Sequence, residues 1–148
     1  WISPISSPIL KLSSLGLPIN HLITTTHFIH YVSDQQKSAH FYEAVLAISP
    51  RLNVPGMTEF ELIENCVLGL MPWTNISRLL NRPASNPSND ALLAEVYLLV
   101  EDPERYHAQA LTTGAKELSP LAPRDWGHMV AYSFDWDGHV IAFAAQNR

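Results

Sequence analysis

Seven histidines, fourteen Asp and Glu residues and one cysteine are the side chains of this 148-residue sequence best suited to bind a metal or move a proton. Imidazole and carboxylate together can make a divalent-metal site or an acid–base pair, so both chemistries are arithmetically open. Thiolate chemistry is closed: Cys66 alone can form neither an intrachain disulfide nor a thiolate zinc cluster. It sits beside a hairpin turn with no clear basic neighbour, so nothing activates it as a nucleophile. No Ser/His/Asp arrangement, P-loop or dinucleotide glycine motif is present. Nine Lys plus Arg leave a net charge of −5 and no basic stretch, which argues against a nucleic-acid partner. Hydrophobic residues make up 47% of the chain and charged residues only 16%, enough apolar material for a core and some surface that must be buried elsewhere.

The elements that would position these residues begin at Thr26. HFIHYVSD reads as a short strand, and Asp34 is an N-cap for the helix QQKSAHFYEAVLAI, in which Ala39, Tyr42, Val45 and Leu46 share a face. Pro50, Pro55 and Gly56 punctuate the next segment. MTEFELI and CVLGLMP follow as strands joined by a tight turn at Glu64-Asn65. The order then recurs. AEVYLLVED is a strand, Asp102-Pro103 caps and opens a second helix, and Gly114 ends it. After a stretch containing Pro120 and Pro123, MVAYSFDW and HVIAFAA form a hairpin through Asp137-Gly138.

Setting Val32-Ser33-Asp34 over Val100-Glu101-Asp102 places His27 over Glu95. Aligning the two hairpin turns places Gly69 over Ala142. The expected fold is α+β: two βαβββ modules whose curved mixed sheets close around a shared cleft, with helices on the outer faces. Module 1 spans about 26–73, a connection about 74–90, and module 2 about 91–146, all within one domain, 23–148. Alternation puts Phe28, His30 and Val32 under the helix and His27, Ile29 and Tyr31 toward the cleft. In the matching strand Val96, Leu98 and Val100 face the helix, and Glu95, Tyr97 and Leu99 face the cleft.

Residues 1–22 fit neither module. Pro4, Pro8 and Pro18 break any helix, and the apolar runs are too short for a membrane span or a signal-peptide core. They are expected to be a leader: a tag, a mis-called start, or an arm that packs on a partner.

The run HFIHYVSDQQKSAHFYEAVL resembles the opening module of the vicinal oxygen chelate superfamily, which includes glyoxalase, bleomycin-resistance and extradiol dioxygenase proteins. DWGHMVAYSFDWDGHVIAFA is similar to its closing strands, with Trp136 where a D-P-D-G turn has proline. The likeness covers about residues 26–145. In metal-using members, four inward side chains bind one divalent ion, and carried onto this chain those positions are His27, Gly69, Glu95 and Ala142. Glycine and alanine cannot ligate, so no metal is expected unless Glu61 or His128 rebuilds a site with His27 and Glu95. Without metal, His27 and Glu95 are the candidate catalytic acid–base pair, or a hydrogen-bonded pair that eases mutual burial.

Tyr31, Gly69, Met71, Tyr97, Trp126 and Ala142 are the expected ligand-binding residues, with Trp126-Gly127 similar to a cleft-bordering pair in bleomycin-resistance-like members. Gly69 and Ala142, having lost ligating groups, are expected to enlarge the space. Trp73 could cap the cavity or simply pack. Two classes of function follow: a binding protein for a small aromatic or apolar molecule, or a lyase, isomerase or dioxygenase-like enzyme. A homodimer in the cytoplasm is expected, with no membrane partner.

Overall fold

The computed structural model describes residue 23, residues 25–83 and residues 94–148. The leader 1–22 lies outside the described residues, as do positions 84–93 spanning the connection and the start of module 2. Two four-stranded mixed sheets carry the chain, ordered β1-β4-β3-β2 and β5-β8-β7-β6. The first holds β1 (Thr26–Val32), β2 (Leu52–Val54), β3 (Met57–Ile63) and β4 (Cys66–Pro72). The second holds β5 (Glu95–Leu99), β6 (Lys116–Pro123), β7 (His128–Phe134) and β8 (Val140–Gln146). Among the described residues, three helices accompany them: α1 (Gln35–Leu46), α2 (Trp73–Leu80) and α3 (Pro103–Thr112). Among the described residues, no helix is long and apolar enough to cross a membrane.

The duplication inferred from sequence is written into the strand register. β1 runs parallel to β4 with Ile29 opposite Gly69, and β5 runs parallel to β8 with Tyr97 opposite Ala142. Aligning His27 with Glu95 also aligns Ile29 with Tyr97, so both sheets place equivalent residues side by side. The two modules share one core. Val32, Phe41, Tyr42, Val45, Phe60, Leu68 and Leu70 of the first pack with Ala110, Ile141 and Phe143 of the second, and Val96, Leu98 and Val100 lie against them. Each large apolar side chain so buried contributes roughly 1.5–3 kcal/mol.

Capping follows the sequence closely. Asp34 accepts from the Lys37 amide and Asp102 from the Arg105 amide, each satisfying an otherwise unpaired helix N–H. The β7–β8 turn of module 2 reaches across to module 1. Asp137 Oδ1 accepts from the Ser33 amide at 2.9 Å and from its hydroxyl at 2.8 Å. Beside it, buried Asp135 accepts from the Tyr42 hydroxyl at 2.6 Å and pairs with His139 Nδ1 at 2.8 Å.

Three elements depart from expectation. Residues 73–80, from the end of module 1 into the connection, form α2, whose Leu79 and Leu80 remain exposed. The Pro120–Pro123 stretch is strand β6, which tolerates prolines because it is a sheet edge with two register shifts. The short β2 follows Pro50 and pairs with β3. Phe28 is also a correction: expected under the helix, it is 59% exposed. β1 is an edge strand, so a side chain near its start can lie beside the sheet rather than beneath the helix.

Candidate functional site

In the first sheet, His27 Nδ1 lies 3.5 Å from Glu59 Oε2, and Arg51 Nε donates to Glu59 Oε1 at 3.0 Å. Glu59 stands opposite Gly69 in the β3–β4 ladder, which explains why it reaches His27. Among the described residues the carboxylate beside His27 is that of Glu59, and no such contact joins His27 to Glu95. A Cβ at Gly69 would stand 3.1 Å from Ile29 Cγ1 and 3.3 Å from Met57 Sδ. The lost ligand position is thus filled by neighbours instead of opened. Tyr31 packs edge-on against Trp73, their rings 5.2 Å apart, and Met71 lies opposite Tyr31 on β4.

On the second sheet, Ala142 is fully buried with Val130 and Ala144, and Tyr97 and Tyr132 pack against this cluster. Trp126 Nε1 donates to the Tyr97 oxygen at 3.0 Å, and the Tyr97 hydroxyl lies 2.6 Å from His128 Nδ1. An indole can only donate, so the Tyr97 oxygen accepts from Trp126, and a single proton bridges that oxygen and His128 Nδ1. The Gln146 Nε2 lies 3.2 Å from His128 Nε2 on the other edge of the ring. Arg124 lies over the Tyr132 ring and donates to Ser119 Oγ and the Val130 carbonyl. Partial burial, and then the charge of Glu95, hold the Tyr132 hydroxyl above its usual range. Glu95 itself is exposed and forms no ion pair among the described residues.

Between the edge strands β1 and β5 lies a cleft of about 640 Å³. Phe28, Ile29, Leu62 and Leu68 form one side and Val96, Tyr97, Leu98 and Leu99 the other, with Glu95 and His30 among the lining groups. Of the expected site residues it brings together Glu95 and Tyr97. His27, Tyr31, Gly69, Met71, Trp126 and Ala142 lie outside its lining. A larger hollow, about 890 Å³, runs between α1 and α3 and is lined by Glu101, Asp102 and Arg105, away from both candidate faces.

The superfamily's four-point metal position does not fit here, because Ile29 and Met57 stand where a side chain at position 69 would project, and the buried Ala142 carries no donor atom. A different group, His30, Asp135 and His139, brings donor atoms within 4.8 Å of one another. Its geometry is that of a packed polar cluster. Asp135 accepts from Tyr42, from His139 Nδ1 and from the Asp137 and His139 amides. The two imidazoles stack at 4.0 Å with planes 18° apart, so their in-plane lone pairs do not converge on a common ion.

Glu59 and Tyr132 were not among the expected site residues. Alternation along β3 and β7 carries their signal, since Glu59 shares a face with Glu61, and Tyr132 with His128 and Val130.

Comparison with known proteins follows the same lines. The family profile described as the Glyoxalase/Bleomycin resistance protein/Dioxygenase superfamily matches residues 24–143. A glyoxalase/bleomycin resistance protein/dioxygenase from Nocardioides superposes with a TM-score of 0.71 at 19% identity, covering 96% of this chain and 94% of its own. A glyoxalase-related enzyme from Fulvimarina pelagi gives 0.70 at 19% identity, covering 84% and 89%. TioX from Micromonospora sp. ML1 gives 0.62 at 14% identity, covering 84% and 99%. At these identities the likeness is one of fold. No curated protein matches the chain in sequence.

Proposed function

The chain belongs to the Glyoxalase/Bleomycin resistance protein/Dioxygenase superfamily, and we propose that it binds a small apolar or aromatic molecule without a metal at the family's four-ligand position. The observation that carries this reading is the 640 Å³ cleft between β1 and β5, whose size and apolar lining suit a small organic ligand. Phe28, Ile63 and Leu99, which border it, are 59%, 71% and 60% exposed. An apolar patch of this kind on a protein surface is ordinarily covered by a ligand or a partner. Trp126, 54% exposed and held by Tyr97, adds an aromatic surface nearby. A homodimer in the cytoplasm is part of the same proposal, the second copy covering apolar surface that one chain leaves open.

An enzymatic reading rests on two pairs, His27–Glu59 and Tyr97–His128, either of which could relay a proton. In that reading Glu95 remains a candidate acid–base residue together with His27. Metal analysis of protein purified without chelator, alongside a His27→Ala variant, separates the alternatives. The expected result is substoichiometric metal in both, and saturable thermal stabilisation by aromatic small molecules. Stoichiometric zinc, nickel, manganese or iron that disappears in the variant would overturn the metal-free reading.

A further inference from the structure

The cleft between β1 and β5 is nearly all hydrocarbon, yet one formal charge stands in its lining. Glu95 opens β5 and is exposed at the cleft, flanked by Ala94, Val96 and Tyr97. The lining itself holds no charge to compensate it. Among the described residues no Lys, Arg or His nitrogen pairs with it, and the lining contains no Lys or Arg. Arg124, which faces Tyr132, lies outside the lining and makes no ion pair with Glu95, its Nη2 donating to Ser119 and Val130. His30, the one basic group of the lining, is held neutral at ordinary pH. Burial first, and then the charge of His139, lower its pKa to about 4.

A neutral apolar ligand that filled this cleft would strip water from the Glu95 carboxylate and return nothing for it. An anionic ligand would add repulsion. A ligand that carries one cation at the end of an apolar body satisfies both parts of the lining, its charge facing Glu95 and its body the hydrocarbon. The chain's net charge of −5 draws such ligands inward. We infer that the cleft is selective for lipophilic monocations, amines or quaternary ammonium compounds with an aromatic or aliphatic body, and that Glu95 is the residue that determines this selectivity. The inference rests on the cleft being the ligand site proposed above.

Three probes with one skeleton test it: 4-phenylbutylamine, 4-phenylbutan-1-ol and 4-phenylbutanoate, titrated calorimetrically into the full chain at neutral pH. The amine is expected to bind about tenfold tighter than the alcohol, and the carboxylate weakest, with the preference shrinking as salt rises. In Glu95→Gln the amine should lose its advantage and bind within about twofold of the alcohol, the alcohol itself gaining because no carboxylate is left to desolvate. Equal binding of amine and alcohol to the unaltered protein, or a preference that survives Glu95→Gln, would overturn cation selectivity and leave the cleft reading standing. Failure of all three probes to bind would overturn both.

Discussion

Ile29 leans over Gly69 on the neighbouring strand, its Cγ1 3.1 Å from the point where a β-carbon would stand at that glycine. Gly69→Ala therefore adds a methyl to an occupied space, and its backbone needs no unusual φ. Overpacking of this kind costs about 1–3 kcal/mol. Urea denaturation should show that loss in Gly69→Ala and a partial recovery in Gly69→Ala with Ile29→Ala. A neutral single variant would mean that the position is empty space.

Asp137 makes two hydrogen bonds to Ser33 across the module boundary and lies 3.4 Å from the Ser38 hydroxyl. Hydrogen bonds to a charged acceptor are worth about 1.5–3 kcal/mol each, less where water competes. Asp137→Ala should lower stability by about 2 kcal/mol with an unchanged denaturant slope, whereas Ser33→Ala, which keeps the amide bond, should lose less.

Acid should weaken the fold in two steps. His30 in the folded chain has its pKa lowered to about 4, from an ordinary value of 6.5. The unfolded chain takes up this proton first, so the stability is complete above pH 6.5 and is lost as pH falls toward 4. A displacement of that size corresponds to about 3 kcal/mol. For Asp135, burial works to raise the pKa, but the bonds from His139 and Tyr42 outweigh it and hold the carboxyl below its usual value. Its contribution is present above the unfolded value and disappears only as pH falls below about 4. Stability measured from pH 8 to pH 3 should show both phases, and His30→Phe should abolish the first alone. A first phase that persists in His30→Phe would assign it elsewhere.

Tyr97→Phe removes one oxygen and leaves two groups without a partner, the Trp126 indole N–H and His128 Nδ1. Because Trp126 is partly exposed, water replaces some of the loss, and the cost should be about 1 kcal/mol. The more specific readout is tryptophan emission. It should change in Tyr97→Phe and not when the same substitution is made in a Trp126→Phe background.

The elements legible in sequence were those with strong local signals. Asp34 and Asp102 fall at helix starts, Asp137-Gly138 falls in a hairpin turn, and alternation places Val32, Val96 and Leu98 against the core. The repeat, read from two short alignments, reappears as equivalent register in both sheets. What escaped depends on sheet order and spacing in three dimensions. Prolines at 120 and 123 argue for a loop unless the strand is known to be an edge. Phe28 obeys alternation yet leaves the core, because nothing local marks β1 as the rim of its sheet. His27 and Glu95 occupy equivalent places, but equivalence under duplication puts them on different sheets, and Glu59 on an adjacent ladder reaches His27 first. Side-chain volume at Gly69 was equally invisible, since a glycine in sequence does not disclose whether a neighbour has moved in.

The clasp between Asp137 and Ser33 also bears on the order in which the chain can be completed. Ser33 and Tyr42 belong to the first strand–helix unit, but their partners, Asp137 and Asp135, arrive 104 and 93 positions later. During synthesis the first module emerges with its helix entry unlatched and the Tyr42 hydroxyl, destined for a fully buried site, without an acceptor. A chain cut short before the last hairpin would keep most of module 1's own contacts yet lack the groups that secure its helix, and nascent chains should resist proteolysis only once that hairpin has left the ribosome.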